Sequence, residues 1–195
     1  MDYHFHSAGR FFIIGIFLIL AVIVGDQYSK WFIIEATLRS GHEMMPFKDW
    51  FFSIQTIPIF EDLRESYKSI SATSFLNIVM VWNSGISFGL FQGGSVLATQ
   101  ALIGLAGIVS IGLIIWMSLS THIIQSIGMG LIAGGAIANA IDRIRFGAVA
   151  DFLDFHYNGL HWPAFNVADM CIVIGAMFFI YDTLFHGDKK VTLEA

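Results

Sequence analysis

Phe11-Phe-Ile-Ile-Gly-Ile-Phe-Leu-Ile-Leu-Ala-Val-Ile-Val-Gly25 carries no charged side chain, and Asp26-Gln-Tyr-Ser-Lys30 follows it at once. A helix needs roughly 20 apolar residues to cross the hydrocarbon core of a bilayer. Reading through Asp26 and Lys30 gives a span over about 11–34. Three further stretches reach the same length, at about 96–117, 123–141 and 167–185. The second and third are separated only by the polar turn Ser118 to His122. The first stretch is short of a signal peptide's features: its leading segment is weakly basic and no small-residue cleavage site follows, so a retained anchor is expected.

Composition agrees with a membrane protein. Of 195 residues 56% are hydrophobic and 13% charged, with 19 Gly and 19 Phe and a mean hydropathy of +0.71. An average soluble domain has about 25% charged residues, and a small globule cannot cover its surface with half that number. A water-soluble enzyme and a disordered linker are thereby excluded. Net charge is −5 without a run of Lys or Arg, which argues against a nucleic-acid partner. The single cysteine, Cys171, cannot form an internal disulfide and reads as a small buried hydrophobe.

Four spans put both termini on one side, but basic residues do not say which. Arg10, Lys189 and Lys190 flank the termini, whereas Arg39, Lys48, Arg64 and Lys68 lie in the long first loop, about 35–95. That loop is predicted to hold two or more short strands. Phe51-Phe-Ser-Ile-Gln-Thr-Ile-Pro-Ile-Phe60 partly alternates, and Phe75-Leu-Asn-Ile-Val-Met-Val-Trp82 is rich in β-branched and aromatic residues. Glu61 to Ser74 is polar and reads as a solvated excursion. Gly128, Gly130 and Gly134 in the third span suit close helix packing.

Ionisable groups within or beside spans are costly, about 2.5–3.5 kcal/mol each at a helix centre, so each needs a reason. Asp26 and Lys30 are four apart, share a helix face and suit an ion pair. Asn139 and Arg143 share a face in the same way. Arg143 suits a clamp on a carboxylate or carbonyl, and equally an interfacial position. Asp151 and Asp154 lie in Val149-Ala-Asp-Phe-Leu-Asp-Phe-His156, and Asp169 lies in Phe165-Asn-Val-Ala-Asp169. Asn166 and Asp169 alone would read as a capping box.

Asp151 and Asp169, however, fall at the facing ends of the third and fourth spans. Two carboxyls about 3 Å apart cannot both ionise, which supplies one base and one acid for amide hydrolysis. Gly85-Ile-Ser87-Phe-Gly89 matches a nucleophile-elbow pattern, but no α/β sheet supports a catalytic Ser87. His156 and His161 lack metal-ligand helical spacing and read as interfacial histidines.

With these residues in view, the chain resembles the lipoprotein signal peptidase (signal peptidase II) family of bacterial membrane aspartyl proteases. Asp26-Gln-Tyr-Ser-Lys30 is similar to the family's D-Q-x-[ST]-K, and Asn83-Ser-Gly85-Ile-Ser-Phe88 to its N-x-G-x-x-F. Gly134-Gly135-Ala-Ile-Ala-Asn139-Ala-Ile-Asp142-Arg143 is similar to G-G-A-x-G-N-x-x-D-R, with Ala138 standing where the family usually has Gly. Gly147-Ala-Val149-Ala-Asp151-Phe152 and Phe165-Asn166-Val-Ala168-Asp169 resemble the segments that carry the catalytic aspartates. Each match is weak alone; five in order are specific. The first loop is longer than usual around Asp49 to Ser74.

The resemblance implies a membrane all-α fold within 1–195, with a small extracytoplasmic β-sheet, or β-cradle, inserted between the first two of four helices. It implies Asp151 and Asp169 as the catalytic pair. Asp26, Lys30, Asn83, Gly85, Gly135, Asn139, Arg143, Asn166 and Ala168 would shape the substrate and inhibitor pocket, while Asp142 supports local structure. The implied substrate is a diacylglyceryl-modified prolipoprotein, cut before its lipidated cysteine, and globomycin-like cyclic peptides are the implied inhibitors. Membrane lipids are the other implied partner; no metal or organic cofactor is required, and nothing demands more than a monomer. The implied location is the bacterial cytoplasmic membrane, with both termini cytoplasmic and the site near the extracytoplasmic face. The alternative from the residues alone, a small proton-coupled transporter, would predict internal pseudo-symmetry, which the halves lack.

Overall fold

The computed structural model describes residues 2–38, 43–53, 69–85 and 96–186. Helix α1 runs over Asp2–Trp31 and widens into a π-helical segment at Phe32–Leu38. A short helix α2 (Phe47–Phe52) and strands β1 (Ile70–Thr73) and β2 (Leu76–Asn83) follow. Then come α3 (Val96–Leu119), α4 (Ile123–Phe146), β3 (Val149–Tyr157), β4 (Leu160–His161) and α5 (Val167–His186).

Four segments are long and apolar enough to cross a membrane: Phe11–Thr37, Val96–Leu119, Ile123–Phe146 and Val167–Phe185. They match the expected spans, except that the third continues to Phe146 instead of stopping near residue 141. This helix, α4, is the most enclosed of the four and packs against α1, α3 and α5. Its glycines explain why. A Cβ at Gly130 would lie 2.8 Å from the Gly15 carbonyl oxygen, and one at Gly134 would lie 2.9 Å from Val22 Cβ. Only a helix without side chains at these points lets α1 come this close. The outer faces expose apolar residues such as Phe17, Leu20 and Val24 on α1, and Leu97 and Ile108 on α3, as lipid contact requires.

The sheet has the order β1-β2-β3-β4, with antiparallel neighbours. Its existence agrees with expectation, but its make-up differs in three ways. Ile70–Thr73, assigned to a solvated excursion, is strand β1. Phe51 and Phe52, assigned to a strand, end helix α2, and residues 54–60 lie outside the described residues. Strands β3 and β4 come from the connection between α4 and α5, so that connection supplies half of the sheet.

The entry into β3 is set by Gly147. It caps α4 with φ 79° and returns its N–H to the Arg143 carbonyl at 3.0 Å. That left-handed turn is the usual glycine stop, and β3 begins two residues later. At the other end Asn158 (φ 49°) and Gly159 (φ 78°) form a two-residue hairpin loop joining Tyr157 to Leu160.

Below the sheet Trp31, Ile34, Trp50, Phe146 and Ala150 form a buried cluster, with Phe47 and Trp82 packed against it. A second core of Ile19, Met117, Met129 and Ala133 lies among the helices. The sheet is therefore seated on the ends of α1 and α4.

Candidate active site

Val81 of β2 pairs with Asp151 of β3, and Asn83 with Val149, so the Asn83 side chain stands beside the acid two positions along. Asn83 Nδ2 donates to Asp151 Oδ2 at 3.1 Å, and Asn83 Oδ1 accepts the Gly85 N–H at 3.2 Å. Beyond the β4 strand the chain returns antiparallel to β3. Phe165 exchanges backbone bonds with Leu153 at 2.9 and 3.1 Å. That bridge delivers the next residue, Asn166, to Asp151: Asn166 Nδ2 donates to Asp151 Oδ1 at 2.7 Å.

Asn166 also starts α5. Its side-chain oxygen accepts the Asp169 N–H at 2.9 Å, while Asp169 Oδ2 accepts the Asn166 N–H at 3.3 Å. This is the reciprocal capping box expected from the spacing. The remaining oxygen, Asp169 Oδ1, accepts Asn139 Nδ2 of α4 at 2.8 Å. Asn166 Nδ2 lies 3.3 Å from Asn139 Oδ1 and closes the circuit. The two acids are thus joined through two amides, Asp151 to Asn166 to Asn139 to Asp169.

Asp151 is 1% exposed, whereas Asp169 is half-buried. Burial pushes the Asp151 carboxyl up to about 7, and the nearby charge of Asp169 adds to this against the hydrogen bonds from Asn83 and Asn166. Such a group can exchange a proton near neutral pH. Arg143 completes the ring: Nη2 donates to the Gly85 carbonyl at 3.0 Å and Nη1 to the Asn139 carbonyl at 3.4 Å. Its Nε is buried without a partner among the described residues. Both carbonyls belong to the protein's own backbone.

A cavity of about 500 Å³ has Asp169 in its wall, with Trp162, Pro163, Phe165, Met170 and Val173 among its other lining residues. Apart from that carboxyl its named walls are apolar.

Asp26, Lys30, Gly135 and Ala168 lie behind this surface. Lys30 Nζ is 2.7 Å from Asp26 Oδ2, the expected ion pair, and 2.6 Å from Asp142 Oδ2. Gly135 lets α4 meet the first turn of α5, since a Cβ there would lie 2.5 Å from the Ala168 carbonyl oxygen. Ala168 is fully buried, as is Ala138, the position that departs from the motif.

Asp154 is elsewhere. Three residues along a strand from Asp151, it points to the other face, where His161 Nδ1 lies 2.9 Å from both its oxygens and Asn77 donates at 3.1 Å. Against burial, which raises it, these hydrogen bonds hold the Asp154 carboxyl below its ordinary value. Ser87 lies outside the described residues.

Two participants were missed by sequence reading, Gln27 and Arg145. Gln27 Nε2 donates to Asp142 Oδ1 at 2.7 Å, and Gln27 Oε1 accepts from Arg145 Nη1 at 2.8 Å. Arg145 also donates to the Trp50 carbonyl, and its guanidinium lies 4.1 Å above the Trp50 ring. Gln27 sits one residue from Asp26, inside a motif already singled out; that was the available signal.

A family model described as signal peptidase (SPase) II matches residues 18–185. The chain belongs to the signal peptidase II family. Its relatives include the lipoprotein signal peptidase of Pelagibacter ubique, 46% identical over 127 residues, which cover 65% of this chain and 75% of that protein. The lipoprotein signal peptidase of Rhodopseudomonas palustris strain TIE-1 is 42% identical over 119 residues, covering 59% and 73%. That of Serratia marcescens is 44% identical over 123 residues, covering 63% and 72%. A solved bacterial membrane enzyme superposes with a TM-score of 0.66 at 24% identity, over 93% of this chain and 94% of the other, and shares the fold. As a signal peptidase II family member with four apolar helices, the protein is a multi-pass membrane peptidase.

Proposed function

We propose that the peptidase is of the aspartic type, with Asp151 and Asp169 sharing one proton. We further propose that it removes the signal peptide of diacylglyceryl-modified prolipoproteins, cutting just before the lipidated cysteine. The observation that carries this reading is the amide-linked pair itself. One carboxyl is buried and raised by that burial to about 7, the other is half-buried, and both are oriented by Asn139 and Asn166.

The ionised carboxylate takes a proton from a water molecule, whose oxygen attacks the scissile carbonyl carbon. The protonated carboxyl gives its proton to the carbonyl oxygen, so the tetrahedral intermediate forms as a neutral diol. When the C–N bond breaks, the carboxyl that received the water proton donates it to the leaving amine. The other carboxyl recovers its proton from the diol hydroxyl, and the pair returns to its starting state. The two acids titrate as a unit, so neither is assigned the proton at rest.

The apolar cavity against Asp169 supports a lipid-bearing substrate, because an acyl chain lodged there would hold the peptide at the depth of the acids. Arg143 Nε, buried without a partner among the described residues, supports a role in gripping a peptide carbonyl. On this reading Asn83 and Gly85 line the same cleft, both termini face the cytoplasm, and the sheet lies at the outer face of a bacterial cytoplasmic membrane. No cofactor enters the chemistry, and globomycin-like cyclic peptides would compete for the cleft.

The test is cleavage by the purified protein in detergent. A lipidated precursor is expected to release its signal peptide, and the same precursor without diacylglycerol to remain intact. Equal cleavage of both forms would contradict the assigned substrate; cleavage of neither would contradict the assigned activity.

A further inference from the structure

Asp26 and Asp142 stand in matching relation to the two aspartates of the pair. Asp26 Oδ1 accepts the backbone N–H of Ala168 at 2.9 Å, one residue before Asp169. Asp142 Oδ2 accepts the backbone N–H of Ala150 at 3.1 Å, one residue before Asp151. Lys30 Nζ joins these two carboxylates, at 2.7 and 2.6 Å. Gln27 Nε2 bridges them a second time, at 3.3 and 2.7 Å, and Arg145 fixes which way that amide faces. Asp26, Gln27, Lys30 and Asp142 are each 0% exposed.

We propose that Lys30 sets the separation of the two catalytic carboxyls, acting through the backbone at Ala150 and Ala168 and not through contact with substrate. The inference rests on the aspartic reading above. A structural ion pair needs one carboxylate, whereas Lys30 holds two, and each ends on the peptide N–H next to a different catalytic acid. Hydrogen bonds to a charged acceptor are the strong kind, so each arm fixes its peptide unit firmly. Without the ammonium two buried carboxylates repel, the arms part, and the strand and the helix that carry the acids part with them. A pair sharing one proton is sensitive to its spacing, and misplacement by about 1 Å costs on the order of a hundredfold in rate.

The experiment compares Lys30→Met with the charge-balanced double variant Lys30→Met/Asp26→Asn, which keeps an oxygen to accept the Ala168 N–H and leaves no added buried charge. The double variant serves if the single one fails to accumulate. Both are assayed as full-length protein in detergent with the lipidated precursor, and rates are normalised to folded enzyme by thermal unfolding. The expected result is a kcat lowered by about tenfold or more with KM within about twofold. The pH profile of kcat is expected to narrow, because carboxyls moved apart interact less and their two apparent pKa values approach each other.

A raised KM with unchanged kcat would overturn the proposal in favour of direct substrate contact. Unchanged kcat and pH profile per folded molecule would overturn it in favour of a purely structural role. Failure of the aspartic reading is seen separately, as wild-type turnover in Asp151→Asn or Asp169→Asn.

Discussion

Asp151 shows most clearly what the site demands of a single residue. Its carboxyl is buried and lifted to about 7. A carboxyl raised in the folded state stabilises the fold below its unfolded value, near 3.9, and that contribution is lost as pH rises through about 7. Asp151→Asn keeps the shape and removes the charge. It is therefore expected to match the parent in thermal stability near pH 4 and exceed it at pH 8, in unfolding scans at both values. Asn166 carries two loads, a donor to Asp151 and the cap of α5. Asn166→Ala is expected to cost about 1 kcal/mol as a lost cap, together with a fall in turnover of tenfold or more, on the order allowed for a misplaced catalytic group. Unfolding and kcat measured on one preparation check both. Lys30→Ala would leave two buried carboxylates short of their cation and is expected to cost about 3–5 kcal/mol. The Asp26–Lys30 pair was legible from spacing alone. Its second carboxylate, Asp142, was not, because the contact joins α1 to α4 across 112 positions of sequence, and a local pattern carries no record of it.

Among the elements, the four spans were readable because each needs only length and apolarity. The strand that carries Asp151 was not. Residues 149–152 are buried on both faces, so the alternation of polarity that marks a half-exposed strand is missing there. Asn158-Gly159, the hairpin loop that ends β3, carries a turn signal that the sequence reading did not use. The extension of α4 to Phe146 was obscured by Asp142, Arg143 and Arg145, charged residues that a lipid-exposed helix would avoid. Here they face the polar network and the ends of the other elements. Glycines set how closely these elements meet. Gly130→Val is expected to force α1 from α4 and destabilise by about 1–3 kcal/mol, the usual cost of overpacking. Gly135→Ala presses on the Ala168 carbonyl, at the turn that holds Asp169. Its expected signature is a larger loss of kcat than of melting temperature, read from paired assays.

At the scale of the whole molecule, the membrane fold and the peptidase chemistry are one design. α4 forms the axis of the bundle, sends Asn139 to Asp169 and Arg143 to Gly85, and then turns at Gly147 into the strand of Asp151. α5 begins where β3 and its returning chain meet, which brings Asp169 to the same place. From spacing alone the candidate pair was legible only as two acids near facing span ends; the motif resemblance named both acids and the two asparagines, but not that Asn139 and Asn166 link the acids to each other. The central claim is that Asp151 and Asp169 act together on the scissile amide. Its most direct measurement is the cleavage rate of a lipidated precursor by purified wild-type, Asp151→Asn and Asp169→Asn proteins, each shown to be folded in detergent. The account predicts that either asparagine abolishes release of the signal peptide, while wild-type turnover follows a bell-shaped pH profile. Near wild-type cleavage by either folded variant would contradict it.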